Sequence, residues 1–147
     1  MSWVRIWIHL VFSTKNRTPY LNSHSIRKEF FEHIRQNAKE KEIWLDSVNG
    51  YQEHIHCLIS LGKEQTISKV AQLIKGESSF WINRNDIIKS KFVWQNDWRA
   101  VSISDSHVEK VRNYIKNQEL HHTERPFKEE IDEFMKNYGW TFIKDEK

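Results

Sequence analysis

With 147 residues, 38% of them apolar and 13% aromatic, the chain is long enough to bury a sizeable core and too apolar for a disordered segment. Its 23 basic and 20 acidic side chains leave a net charge of +3, too mild to indicate a nucleic-acid partner on its own. The single cysteine, Cys57, excludes an intrachain disulfide and thiolate-rich zinc motifs. No apolar run is long enough to span a bilayer, and the start of the chain lacks the pattern of a signal peptide. A cytoplasmic protein with no membrane partner is expected.

Residues 3–14, "WVRIWIHLVFST", are β-branched and aromatic and predict a long buried strand. After a loop containing Pro19, Ser23 or Ser25 caps a helix to about Lys41. Its apolar positions Ile26, Phe30, Ile34 and Ala38 recur every four residues. Residues 43–48 predict a second strand, Asn49-Gly50 a hairpin turn, and residues 52–61 the return strand. Thr66 caps a second helix carrying Ile67, Val70, Ala71, Ile74, Trp81 and Ile82 on one side, with Gly76 weakening its middle. Residues 92–104 predict a fourth strand, interrupted near Asn96-Asp97. Ser104 or Asp105 then caps a third helix to about His122, and Pro126 opens a short fourth helix, about 126–139. No linker divides the chain, so one domain over 1–147 is expected, with its core at about 3–122. The order β-α-β-β-α-β is that of an α+β, ferredoxin-like or RRM-like antiparallel sheet with helices packed on it. That fold hosts many functions and assigns none.

Two constellations carry chemistry. His54 and His56, in "EHIHCLIS", stand two residues apart on a strand and therefore share a face. Two imidazoles so placed converge on one metal ion, or serve as structural histidines. In the third predicted helix, Tyr114 and Gln118 lie four residues apart on one edge, continued by His121 and His122. Gln118 offers a hard, neutral carbonyl oxygen suited to Mg²⁺ or Mn²⁺. Tyr114 offers a phenol that can act as a nucleophile. An interface tyrosine and a solvated amide are the plain alternative. No Gly-rich phosphate loop or nucleophile elbow occurs. Between residues 63 and 91 the charge is more basic, with Lys69, Lys75, Arg84, Lys89 and Lys91 offering a phosphate-facing surface or a solvated face.

Five short stretches extend these motifs: "HLVFSTKNR" from His9, "HIHCLISL" from His54, "VAQLIKGESS" from Val70, "VSIS" from Val101 and "YIKNQELHH" from Tyr114. Their order and spacing resemble the small single-tyrosine transposases of the HUH (His-hydrophobic-His) endonuclease superfamily, found in bacterial insertion sequences that move as single-stranded DNA. The resemblance covers roughly residues 5–125. It implies that His54, His56 and Gln118 hold a divalent metal, Mg²⁺ or Mn²⁺. It implies that Tyr114 attacks a DNA phosphate to give a 5′-phosphotyrosine. It also implies a homodimer acting at DNA hairpins near element ends, associated with the nucleoid during action, or a host-resident relative acting on repeated palindromes. Two positions depart from many relatives: Glu53, where Asp or Asn precedes the first histidine, and Trp98-Arg99, where Tyr-Gly is frequent.

On this reading Lys69, Lys75, Arg84, Lys89, Lys91 and Arg99 contact DNA, with His121 and His122 beside the DNA or the metal. Trp81, Trp94 or Trp98 stack on unpaired bases; the helical phase of Trp81 favours core packing instead. Two other readings stand beside it. One is a non-catalytic RRM-like module binding single-stranded nucleic acid. The other is a metal hydrolase acting on small phosphoesters.

Overall fold

The computed structural model describes residues 1–118 and Lys136. The expected order is found. Strand β1 (Ile6–Ser13) is followed by helix α1 (His24–Glu40), strands β2 (Trp44–Gly50) and β3 (His54–Leu61), helix α2 (Ile67–Arg84), strand β4 (Arg99–Ile103) and helix α3 (Val108–Lys116). The four strands form one antiparallel sheet in the order β2-β3-β1-β4. Both long helices begin where capping hydroxyls stand: Ser23 Oγ accepts from Ile26 N–H, and Thr66 Oγ1 from Lys69 N–H.

Period-two alternation gives the sheet two different faces. One carries Leu10, Phe12, Ile55, Cys57 and Ile59 against α1 and α2, and forms the larger core with Phe30, Ile34, Ile74 and Ile82. The other carries His9, Val11, His54, His56 and Leu58. There α3 lays Val108, Val111 and Ile115 over Leu58, Val101 and Ile103.

Three boundaries differ from the sequence reading. Asn49-Gly50 is not the hairpin turn: both residues lie in β2, paired with His56 and Ile55. The turn falls at Gln52 and Glu53, where Tyr51 N–H donates to His54 O. Gly50 is required for close approach, since a Cβ there would sit 2.1 Å from the His54 carbonyl oxygen. In the 92–104 stretch only Arg99–Ile103 joins the sheet, and Trp94 makes an isolated bridge to Thr14. The third helix starts after a 3-10 turn (Asp105–His107). Its expected extension to His122 lies outside the described residues beyond Gln118, as does the helix at about 126–139 except for Lys136. Among the described residues no helix is long and apolar enough to cross a membrane.

Candidate active site on the histidine face

β3 places His54 and His56 on one face, and both are fully buried. Their rings meet edge to face, with centroids 5.0 Å apart. α3 crosses above them. Its C-terminal end delivers Gln118, also fully buried, so that Gln118 Oε1 lies 3.1 Å from His54 Nε2. One turn earlier, the half-buried Tyr114 stands its ring at 88° to that of His56, with centroids 5.5 Å apart. Gln118 Nε2 donates to the Tyr114 backbone carbonyl at 3.2 Å, tying the Gln118 side chain back to the last turn of the helix. The four residues singled out in the sequence thus meet in one place.

Two neighbours join them: His9, not singled out in the sequence, and Glu53, noted there only as a departure from relatives. His9 of β1 is fully buried, and its Nε2 lies 2.9 Å from His56 Nδ1. Its ring also approaches Tyr114 edge-on at 6.2 Å. Glu53 Oε1 lies 3.0 Å from His54 Nδ1. Each histidine of the pair is therefore held at Nδ1 by a partner, and its Nε2 is directed to the other side. A second contact at the far nitrogen is what orients a ligating imidazole and fixes its tautomer. The sequence hints for His9 are a titratable ring inside an otherwise apolar strand and its place at the head of the "HLVFSTKNR" stretch.

The donor set fits a divalent ion. His54 Nε2 and Gln118 Oε1, already at hydrogen-bond distance, are the atoms an ion would take, and His56 adds a second imidazole two positions along the same strand. Among the described residues no group of three His, Cys, Asp or Glu side chains could hold an ion; beside the two imidazoles stands the neutral Gln118 amide oxygen.

α3 is anchored to the edge strand β2. The guanidinium of Arg112 pairs with the Asp46 carboxylate through two 2.8 Å hydrogen bonds and holds that carboxyl below its ordinary range. Asn49 Nδ2 donates to the Ile115 and Lys116 carbonyls at 3.0 and 3.1 Å, closing the end of the helix just before Gln118.

The other expected DNA contacts are dispersed. Lys69 and Arg84 are exposed on α2, and Lys89 and Lys91 are exposed after it, in the helical layer behind the sheet. Lys75 gives its ammonium to the Gln95 and Asn96 carbonyls at 2.6 and 2.8 Å. Trp81 stacks on His33 at 4.1 Å, and the buried Trp94 donates to Ser78 Oγ, so both serve packing. Trp98 and Arg99 are half-buried at the end of β4 nearest the histidines. His121 and His122 lie outside the described residues.

The profile of the family described as "Transposase IS200 like" matches residues 2–118. No curated protein matches the chain. Among solved structures, a candidate transposase from Deinococcus radiodurans R1 is similar, with a TM-score of 0.59 at 18% identity over 80% of this chain and 92% of that one. A REP-associated tyrosine transposase bound to a REP hairpin is similar with a TM-score of 0.61 at 15% identity, over 83% of this chain and 72% of that one. At these identities the likeness is one of fold.

Proposed function

The chain belongs to the IS200-like transposase family, and from that premise we propose that it cleaves and rejoins single-stranded DNA through Tyr114, beside a divalent metal held by His54, His56 and Gln118. The observation that carries this reading is the meeting of the Tyr114 ring with His56 on the one buried face where Gln118 touches His54. A bound Mg²⁺ or Mn²⁺ supplies Lewis-acid polarisation of a phosphate.

The protein's part is placement. α3 holds the phenol over the histidine pair, and the Tyr114 oxygen forms a bond to phosphorus as the bond to the 3′ oxygen breaks. The phenol proton leaves and the 3′ oxygen departs as a hydroxyl. The 5′-phosphotyrosine keeps the phosphodiester energy, so the strand can be rejoined without a nucleotide cofactor; attack by water would discard it. A free phenol titrates near pH 10, so the proton must be drawn off within the site.

The hairpin held by the REP-associated neighbour supports recognition of DNA hairpins; we place these in single-stranded DNA at element ends and take the acting form to be a homodimer. The same chemistry serves a mobile element and a host-resident relative. A non-catalytic RRM-like module gains no support, because α3 covers the sheet face that such domains leave open for bases.

The test is covalent capture. Tyr114→Phe should abolish the protein–DNA adduct on a hairpin oligonucleotide while keeping hairpin binding; an adduct that persists removes the nucleophile assignment. His56→Ala should lose metal-dependent cleavage, and undiminished cleavage removes the metal role.

A further inference from the structure

A cavity of about 290 Å³ opens beside the histidine face, where the end of β1 meets the 95–99 segment. Two of its wall residues, Val11 and Ser13, are paired in the sheet with His56 and His54. Arg99, paired with Val11 across β1 and β4, lines the cavity too, together with Trp98, Asn16 and Arg17. We propose that this cavity receives one unpaired nucleobase of the DNA strand next to the scissile phosphate, with Trp98 as its stacking surface and Asn16 and Gln95 at its polar edge. The proposal rests on the transposase reading and adds to it a place where sequence beside the cut is read.

Size, chemistry and rigidity support it. The volume is at the lower end of small-ligand pockets, roughly 300 Å³. That is room for one planar heterocycle and too little for a duplex. A half-buried indole offers the sequence-tolerant π-face on which unpaired bases stack. The Asn16 and Gln95 amides can each donate to and accept from a base edge. The Arg17 and Arg99 guanidinium groups suit the phosphates on either side of that base.

The walls are also built in advance. Gln95 N–H donates to Ser13 O, and Lys15 N–H to Val93 O, at 2.9 Å each. Lys75 reaches from α2 to hold the Gln95 and Asn96 carbonyls. This gives Lys75 a positioning role in place of direct DNA contact. Asn16 and Arg17 are both left-handed, with φ of 58° and 54°. Two successive non-glycine residues in that region are costly, and such strain persists where the surroundings fix the backbone, as at ligand sites.

The experiment uses the full chain and a hairpin oligonucleotide from the DNA flanking its gene, with single abasic sites walked through the strand around the cut. For the wild type, one abasic position should lower adduct yield about ten-fold, the order expected for one stacked base, with hairpin affinity unchanged. Trp98→Ala should lower the yield on the intact strand to the same level and show no further loss at that position. Trp98→Phe should restore most of the discrimination. 2-Aminopurine at the same position should be quenched on binding wild-type protein, a readout that needs no variant. If every abasic position is cleaved like the intact strand, or if no 2-aminopurine position responds, the base pocket is refuted while the adduct on intact DNA still upholds the transposase reading. If the wild type forms no adduct on any strand, that reading fails instead.

Discussion

At the scale of single residues, burial decides what each side chain can do. His9 shows this best. A fully buried imidazole 2.9 Å from His56 Nδ1 selects which nitrogen of His56 faces the site. Loss of such an outer contact typically weakens metal affinity about 10–100-fold. His9→Ala should therefore weaken Mn²⁺ binding by that order in calorimetric titration; unchanged affinity would show that His9 only fills space. Cys57 is the opposite case. It lies on the other face of the same strand, fully buried, and burial alone pushes its thiol well above the ordinary range. The thiolate is the reactive form, so Cys57 should resist thiol reagents in the native protein and react on unfolding. Rapid labelling under native conditions would contradict that placement. The sequence showed both faces of this strand, because alternation is a local property. It could not show which residue of β1 lies opposite His56, since register is set by long-range pairing.

At the scale of elements, the question is what holds a nine-residue helix in place over the site, since helices this short are marginal alone. Asp46 and Asn49, both on β2, provide the anchor. Asp46→Ala should cost roughly 1 kcal/mol, the upper range for a partly exposed ion pair, and should appear as faster amide exchange in α3 with β3 protection kept. Equal loss in both elements would show that α3 and the sheet open together. The pH dependence has a definite sign. The Arg112 guanidinium holds the folded carboxyl below its ordinary value of 3.8, so its contribution is present above about pH 4 and fades as pH falls through the lower, folded value. Wild-type α3 should therefore lose protection on acidification, and Asp46→Ala should show less of that loss. The anchor was hidden in the sequence by the Asn49-Gly50 dipeptide, which has the composition of a tight turn. Here Asn49 serves through its amide and Gly50 through its missing side chain. The first use depends on partners distant in sequence, at Ile115 and Lys116, and the second on the close approach of the neighbouring strand at His54 and Ile55.

At the scale of the whole molecule, the sheet divides stability from chemistry. Fold class and element order could be read from the chain because period, caps and chain order are local signals, and Ser23 and Thr66 cap as expected. The meeting of His54, His56, Tyr114 and Gln118 followed from the family resemblance and from shared faces. The cation set did not gather at the site, because net charge along a segment says nothing about which side of a sheet its helix covers. That side carries the larger core, in which Phe30 packs with Phe92 and Trp94 at 5.3 and 6.1 Å. Among the described residues, the histidine side carries a small cluster roofed by α3. Truncating a buried Phe costs about 3–5 kcal/mol and an Ile about 2–5 kcal/mol, but the two losses should spread differently, because proteins open in cooperative units of unequal stability. Phe30→Ala should lower the denaturation midpoint and exchange protection of every strand. Ile115→Ala should release α3 first, lowering adduct yield at Tyr114 while hairpin affinity and β3 protection change little. If Ile115→Ala unprotects β3 as strongly as α3, the two layers form one cooperative unit, and α3 cannot move without unfolding the sheet beneath it.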